Sequence, residues 1–551
     1  MTLISRRRAL KLGGLAGGAL IGGRLAGRSA AAPLGAPRPR PALPSQAEPF
    51  LSAEQLCRPT DRSVTVSVVP AVDLEAYVEH GPAADSYTGH TEAVPLRGGQ
   101  PAVLLVEGLP VDSPVHYRLR YRQPGTSAFA AGPERRFHTQ RAPGRSFSFA
   151  VQADSHLGTA KHCDPALYTR TLQHIAAYQP DLFIDLGDTF RATKLKEPSR
   201  QAITKLYQNQ REYLGLVAHS APLFLVNGNH EMEWGWLLDG STESVPVLSA
   251  LARKAWYPQP EPDAFYGGNA DVLPLIGRPQ DYYAWHWGDA LFVVIDPYWH
   301  TPVDPGGAGI DKVTGDDSPK DPWAWTLGEA QYRWFKATLE DSGARYKFVF
   351  HHHVLGACRG GVEWADYYEW GGRDRNGADS FAQHRPGWEL PIHPLMVKHG
   401  VTIFFQGHDH VYVRQERDGI VYQTLPMAAD PTYSAYNSDA FHSGDILPNA
   451  GHLRVSVAPD GVTVDYIRSV LPQDEAPERR DGMVAASYRV AAAGGPPATV
   501  TRTPGAPAPT ATRRATESTP PPSTTPPTAP PATTDPATRR IYLPGLKGDR
   551  P

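Results

Sequence analysis

Asp154-Ser155-His156 is the first of five short polar motifs that decide the fold of this chain, and each motif directly follows a hydrophobic run. The other four are Gly187-Asp188, Gly228-Asn229-His230-Glu231, His351-His352-His353 and Gly407-His408-Asp409-His410. The runs before them are short and rich in Phe, Val, Ile and Leu, which is typical of buried strands. In an open α/β sheet, ligands bind in the crevice beyond the strand ends. The sequence therefore predicts a metal-binding edge that carries Asp, His and Asn side chains.

Composition limits the class of protein. The length of 551 residues indicates two or more domains, and a hydrophobic content of 41% is enough for sizeable cores. A net charge of −3 and a pI near 6.7 provide no basic surface, so general nucleic-acid binding is not expected. Three cysteines (Cys57, Cys163 and Cys358) are too few for a disulfide scaffold, although one bridge could form.

The N-terminus is similar to a twin-arginine export signal. Arg6 and Arg7 precede a glycine-rich apolar stretch, and Ala9 stands where that pattern usually has Phe. Small residues near Ala32 offer a cleavage site. The apolar stretch is too short to span a bilayer, so no transmembrane segment is expected in the mature protein. The alternative is a basic disordered tail. An exported protein (secreted, periplasmic or at the cell surface) is predicted.

Composition shifts divide the rest of the chain. Residues 1–32 form the predicted signal and 33–48 a linker, and 49–142 show short alternating segments typical of a β-sandwich. Residues 143–491 contain the five motifs, and 492–551 are a Pro/Thr/Ala-rich tail that is not expected to fold.

The five motifs, in this order, resemble the calcineurin-like metallophosphoesterase family, which includes the purple acid phosphatases. Asp-x-His and Gly-Asp alone are common, whereas Gly-Asn-His-Glu and Gly-His-Asp-His are more specific. The resemblance implies an α/β fold, namely a four-layer α/β/β/α sandwich. It also implies that the small all-β sandwich at 49–142 is fibronectin-III-like.

The resemblance also implies a binuclear metal centre. One metal would be held by Asp154, His156, Asp188 and His410, and the second by Asp188, Asn229, His352 and His408. A carboxylate such as that of Asp188 can bridge two cations roughly 3.5–4 Å apart. A metal-bound hydroxide would then attack phosphorus. The ligands suit Fe, Mn or Zn, and the metal identity stays open.

Two motifs hold residues whose roles need a choice. His230 is predicted to be the general acid or electrostatic stabiliser, because imidazole titrates in the useful range. Glu231 would either orient His230 or cap the following helix. Among the three consecutive histidines, the resemblance implies His352 as the ligand, because the family usually has His-x-Pro at this strand end and Val354 takes the place of the proline. Alternation along a strand would turn His351 and His353 to the opposite face.

The chain departs from the purple enzymes at two positions. Arg191 occupies the place of the tyrosine that ligates ferric iron, so a colourless, histidine-rich site is expected, and His156 stands where glycine is common. Arg191 would face a substrate phosphate or lie in a surface or salt-bridged position. All twelve tryptophans lie in the segment from Trp234 to Trp388. We expect most of them to pack in the hydrophobic core; the alternative is that some line the walls of the metal site. Six other histidines are expected to be surface or core residues: His162, His174, His286, His300, His384 and His393.

The sequence thus predicts a secreted metal-dependent phosphoesterase that acts on a small-molecule phosphate ester. Monoester and diester substrates cannot be separated, because both reactions use the same metal core. The alternative class is a cell-surface binding or adhesion protein on a metallophosphoesterase fold. The substrate, the oligomeric state and the role of the tail are not readable from the sequence.

Overall fold

The computed structural model describes residues 49–306, 321–354 and 359–492, together with the backbone of Val500–Thr501. The predicted signal peptide, the linker, Cys358 and nearly all of the predicted tail lie outside the described residues.

The first part of the described chain consists of strands alone. Their bounds are β1 (Gln55–Cys57), β2 (Val64–Val68), β3 (Leu74–Gly81), β4 (Gly89–His90), β5 (Val94–Leu96), β6 (Ala102–Val106), β7 (Pro114–Arg122), β8 (Ala130–Ala131) and β9 (Arg135–His138). One sheet has the order β1-β2-β6 and the other β4-β3-β7-β8, with β5 beside β3 and β9 beside β7. Alternate side chains of β3 and β7 are buried, and both sheets contribute to one core that includes Val66, Val78 and Leu119. The predicted all-β sandwich is therefore present.

The remainder alternates strands with helices. The strands are β10 (Phe147–Gln152), β11 (Leu182–Asp185), β12 (Leu223–Leu225), β13 (Gly267–Gly268), β14 (Tyr283–Trp287), β15 (Ala290–Val294), β16 (Tyr346–Phe350), β17 (Ile403–Gln406), β18 (Tyr412–Arg417), β19 (Ile420–Thr424), β20 (Asp445–Leu447), β21 (Gly451–Ala458), β22 (Gly461–Arg468), β23 (Val484–Ala491) and β24 (Val500–Thr501). The α-helices are α1 (Pro165–Ala177), α2 (Arg200–Ala218), α3 (Val245–Trp256), α4 (Gly328–Asp341), α5 (Tyr368–Gly371), α6 (Phe381–His384) and α7 (Ile392–Lys398). Short 3₁₀ turns include Ala192–Lys194, Asn229–Glu231 and Ser438–Ala440.

These strands form two large sheets. The first has the order β12-β11-β10-β21-β22-β23-β24, and the second β13-β14-β15-β16-β17-β19-β18-β20. Strands β10, β11 and β12 are parallel in the first sheet, and β15, β16, β17 and β19 are parallel in the second. Parallel strands present their carboxyl ends at one edge, so the loops after β10, β11 and β12 gather there, as do those after β16 and β17. The pairing of β24 with β23 extends the first sheet beyond residue 491, where the sequence predicted the folded region to end.

The two sheets pack face to face. The ring centroid of Phe149 in the first sheet lies 5.1 Å from that of Phe292 and 5.4 Å from that of Phe348 in the second, and all three rings are buried. Burying a side chain of this kind contributes about 1.5–3 kcal/mol. On the outer faces, Phe183 packs in a cluster with α1–α3, and Phe404 packs in a cluster with α4, α5 and α7. The predicted four-layer α/β/β/α architecture behind a small all-β sandwich is confirmed.

Local sequence explains how the first helix begins. Asp164 is the N-cap of α1, and its carboxylate accepts hydrogen bonds from the backbone N–H groups of Ala166 (2.8 Å) and Leu167 (3.2 Å). Pro165 occupies the first helical position, where its missing N–H costs no hydrogen bond. The cap at Asp164 fixes where α1 begins, and thereby where the loop that carries Asp154 and His156 ends.

A buried arginine joins the β-sandwich to the two large sheets. Arg211 on α2 is fully buried, and its guanidinium donates to Ser52 Oγ (3.1 Å), Gln55 Oε1 (3.1 Å) and the carbonyl oxygen of Ser67 (2.7 Å), all on the sandwich side. It also donates to the carbonyl oxygen of Trp256 at the end of α3. One side chain thus satisfies acceptors from three segments, which fixes α2 against the sandwich.

No α-helix in the described part of the chain combines the length and the apolar character that crossing a bilayer requires.

We expect Arg211→Ala to lower the free energy of unfolding by at least about 3 kcal/mol, because it leaves several buried acceptors without a donor. Urea unfolding of the full chain measures this loss. Arg200→Ala is the matched control, since Arg200 lies on the same helix but pairs with Glu243 at the surface, and its loss should stay within about 0.5 kcal/mol. Equal losses in the two variants would contradict the anchoring role of Arg211.

Candidate metal centre

The predicted ligands converge because each follows the carboxyl end of a parallel strand. Asp154 and His156 come after β10, Asp188 after β11, and Asn229 after β12. The second sheet supplies the others, which are His352 after β16 and the pair His408 and His410 after β17. All seven side chains are buried.

Five of these seven residues adopt a left-handed backbone conformation. Their φ angles are 54° at Asp154, 45° at His156, 52° at Asp188, 67° at His408 and 60° at His410. Residues other than glycine rarely occupy this region, and holding one there costs about 1–3 kcal/mol. Such strain persists where the surrounding structure fixes it, and it clusters at functional sites. The backbone is therefore shaped to aim these side chains at a common point.

The ligand atoms fall into three overlapping groups, and within each group they lie no more than 4.8 Å apart. The groups are Asp154, His156 and His410; Asp188, His352 and His408; and His156, Asp188 and His230. Oδ2 of Asp188 lies 3.3 Å from Nε2 of His352, 3.8 Å from Nε2 of His230 and 3.9 Å from Nε2 of His156. Asp188 is thus the central carboxylate of the cluster.

The unpaired atoms of the cluster fit bound cations. Oδ1 of Asp154 and Nε2 of His352 are buried, and neither has a hydrogen-bond partner within the described residues. Nδ1 of His352 lies 2.8 Å from the carbonyl oxygen of Leu186, to which it donates, so the lone pair of a neutral ring is on Nε2. Nε2 of His156 and Nε2 of His410 lie 2.9 Å apart, as two ligands aimed at one ion would. Nitrogen and oxygen donors of this kind suit transition metals.

The charges of the cluster are balanced between Asp188 and His352. Burial raises the pKa of Asp154 to about 7 and lowers the pKa of His408 well below its usual value. Burial disfavours the charged forms of Asp188 and His352 as well, but the attraction between their opposite charges outweighs it. This attraction holds the pKa of Asp188 well below its usual range and raises the pKa of His352 to about 10. Because a metal ligand must be a neutral imidazole, a cation bound here would displace the proton of His352.

Asn229 and Glu231 hold the third loop in place. Oδ1 of Asn229 lies 3.0 Å from Nδ1 of His408. The carboxylate of Glu231 accepts hydrogen bonds from the backbone N–H groups of Gly228 (2.9 Å), Asp188 (3.0 Å) and Thr189 (2.8 Å). The carboxylate of Glu231 therefore caps the start of the turn that contains it, rather than the following helix as predicted, and it also fixes the turn that carries Asp188.

The partner of His230 is instead Thr193, whose Oγ1 lies 2.7 Å from Nδ1 of the ring. Sequence reasoning missed this residue, because nothing in the pattern around Thr193 distinguishes it from any other loop threonine. Burial lowers the pKa of His230 to about 3.

Strand alternation does not apply to His351, His352 and His353, contrary to the prediction, because β16 ends at Phe350 and these three residues follow the strand. His352 enters the ligand cluster. His351 stacks near Tyr298, and the ring of His353 lies 5.0 Å from that of His408, on the ligand side.

The tryptophans serve mainly as core. Four of the twelve are among the largest fully buried side chains: Trp285, Trp287, Trp325 and Trp370. Two of the tryptophans nevertheless extend toward the predicted ligands. The ring centroid of the half-buried Trp236 lies 5.6 Å from that of Trp325, and the centroid of Trp325 lies 5.2 Å from that of His353.

Three further cationic or polar residues lie close to the predicted ligands. Arg191 is half-buried. The burial of His230 and His410 is the largest cause of their lowered pKa values, and the positive charge of Arg191 lowers both further. Arg359 donates to the carbonyl oxygen of His408 (2.7 Å). His162, predicted to be a surface or core residue, lies with its ring centroid 5.6 Å from that of His156.

Fold and site together define an α/β/β/α protein with a candidate metal centre, and this combination is similar to that of known proteins. The sequence model of the calcineurin-like phosphoesterase family matches residues 147–412. Its fold is similar to that of a structure described as PhoD, at 15% identity with a TM-score of 0.59, covering 84% of this chain and 94% of the other. It is also similar to the purple acid phosphatase PPD1 from yellow lupin (Lupinus luteus) seeds, at 15% identity and TM-score 0.51, covering 80% and 74% respectively. No curated protein sequence matches the chain.

We expect Glu231→Ala to weaken metal binding by about 10–100-fold, because residues that orient ligands contribute on this scale. Competition with a chromogenic chelator measures the affinity. The control is Glu197→Ala, which removes an exposed carboxylate from the loop before α2 and should leave the affinity unchanged. Wild-type affinity in Glu231→Ala would contradict the positioning of Asp188 by Glu231.

Proposed function

We propose that this chain is an exported hydrolase of phosphate esters that uses two metal ions. The central position of Asp188 carries the proposal, because its carboxylate lies within 4 Å of histidines from both halves of the cluster. One ion would be held by Asp154, His156, Asp188 and His410, and the other by Asp188, Asn229, His352 and His408. The match to the calcineurin-like phosphoesterase family model and the fold similarity to a purple acid phosphatase support the reaction class.

When bound, the two ions would supply a water activated for attack near neutral pH and would stabilise the charge that develops at phosphorus. Iron, manganese and zinc all suit this donor set. The chain's own residues supply the rest. Asp188, fixed by Glu231, holds the two ligand groups in register, and Arg191 is placed to attract an anionic ester toward them.

His230 is proposed as the general acid or electrostatic stabiliser at the leaving oxygen. Its Nε2 faces the cluster, 3.8 Å from Oδ2 of Asp188, and it is also close enough to act as a metal ligand. In the neutral ring, a Thr193 hydroxyl that donates to Nδ1 leaves the proton on Nε2, the nitrogen that faces the cluster, so His230 stabilises charge at the leaving oxygen by a hydrogen bond. To act as a general acid the ring must first take up a second proton, and Nδ1–H then donates to Thr193 Oγ1. This arrangement favours donation toward a bound ester over coordination of a metal.

Export rests on the sequence of the first 32 residues. The twin-arginine pathway carries folded proteins, which suits a protein whose metals are bound before export. The competing possibility, an adhesion protein on the same fold, predicts no turnover, so hydrolysis of p-nitrophenyl phosphate or bis-p-nitrophenyl phosphate separates the two. The ratio of the two rates also distinguishes a monoesterase from a diesterase.

The purified protein should contain close to two transition-metal ions per chain, and Asp188→Ala should lose both, because Asp188 serves both groups. Elemental analysis measures the content. Asp239→Ala, which removes an exposed carboxylate, is the control and should retain both ions. A single ion that survives Asp188→Ala with activity intact would exclude the binuclear site.

His230→Ala should lower kcat by roughly 10²–10⁴-fold with both ions retained, as expected for a positioned acid. The loss should be smaller for p-nitrophenyl phosphate than for an alkyl phosphate, because nitrophenolate leaves without a proton. Thr193→Val, which removes the partner of Nδ1 but keeps the side-chain shape, should show a weaker loss in the same direction. Loss of metal from His230→Ala would instead identify His230 as a ligand.

A further inference from the structure

A histidine outside the five motifs lies against the metal cluster. His162 is six residues beyond His156 in the loop that leads to α1, and it is 5% exposed. Its ring centroid lies 5.6 Å from that of His156 and 5.4 Å from that of His410, the two histidines of the first ligand group. His162 belongs to none of the three ligand groups, so it borders the centre without completing it.

The ring nitrogen Nδ1 of His162 is buried and has no hydrogen-bond partner in the part of the chain that the structure describes. Buried polar atoms are nearly always paired, and an exception beside a metal cluster indicates a bound molecule as the missing partner. His230 provides the contrast. Its ring centroid also lies 5.4 Å from that of His156, but its Nδ1 is already paired with Thr193. The protein orients His230 itself, whereas His162 is left for a partner from outside the chain.

The ring of His162 is nevertheless held in place. Tyr436 packs edge-on against it with centroids 5.6 Å apart and also lies 6.0 Å from His410. The ammonium group of Lys161 lies 5.1 Å from the centre of the Tyr436 ring. The ring of His162 is therefore packed among three other rings, which lowers the entropy lost when it binds a ligand.

We propose that His162 is a substrate-binding residue that donates a hydrogen bond from Nδ1 to a phosphoryl oxygen of the ester on the His156–His410 side of the centre. This proposal rests on the proposed function. The phosphoryl group is the part of the substrate that must lie beside these ligands, and its oxygens are the acceptors that Nδ1 lacks. Arg191 adds positive charge near the same two histidines.

Binding of inorganic phosphate to the metal-loaded protein tests the proposal without turnover. Isothermal titration calorimetry should show that His162→Ala weakens phosphate binding by about 10–100-fold, the contribution of a hydrogen bond to a charged group. Elemental analysis should show that both metal ions remain. His162→Asn, whose amide nitrogen replaces Nδ1, should recover part of the affinity, whereas His162→Gln should not.

His442→Ala is the control, because it removes a histidine whose side chain is 78% exposed, and it should bind phosphate as the wild type does. Wild-type phosphate affinity in His162→Ala would overturn the proposal, and so would loss of a metal ion, which would make His162 a ligand. The outcome is separable from that of the proposed function. A wild-type protein that hydrolyses no phosphate ester contradicts the function, whereas unchanged phosphate affinity in His162→Ala with hydrolysis intact contradicts only the role of His162.

Discussion

The turn at Gly187-Asp188 ties the loops of the metal centre together. The carbonyl oxygen of Gly187 accepts from the N–H of Asp154, and that of Asp188 accepts from the N–H of His156, both at 3.0 Å. Oδ1 of Asp188 accepts from the N–H of His230 (2.8 Å). Gly187 has a φ of 90°, and a Cβ at this position would lie 2.3 Å from the backbone nitrogen of Gly228, so no other residue fits. The ligands of three parallel strands thus depend on one glycine and one carboxylate.

The strands and the clustering of polar residues at their ends were predictable because they follow from local patterns, whereas the division of these residues between two metal ions came from the family resemblance and stays a prediction. Short apolar runs predict buried strands, and the polar residues that directly follow each run in the sequence must lie at the end of that strand. Residues that act across long sequence distances left no such signal. Glu231 supports Asp188 from 43 positions away, and Thr193 meets His230 from 37 away. In the sequence, His162 is only a histidine near the first motif. Its proposed role depends on the position of Tyr436, which is far away in the chain and packs against it in the fold.

The β-sandwich is connected to the metal loops through one helix. Arg211 of α2 reaches into the sandwich, and its neighbour Gln210 donates to Ser155 Oγ (3.3 Å), which lies between two predicted ligands. Ser155 Oγ in turn donates to the carbonyl oxygen of Thr189, the residue after Asp188. Through Arg211 and Gln210 of α2, the β-sandwich therefore helps to fix the loop that carries Asp154 and His156. A module that served adhesion alone would not require this buried connection.

Anomalous X-ray diffraction from crystals of the metal-loaded protein, recorded at the absorption edges of the bound metals, tests the binuclear claim most directly. The account predicts two peaks about 3.5–4 Å apart, one on each side of the Asp188 carboxylate. A single peak, or two peaks of which only one contacts Asp188, would contradict it.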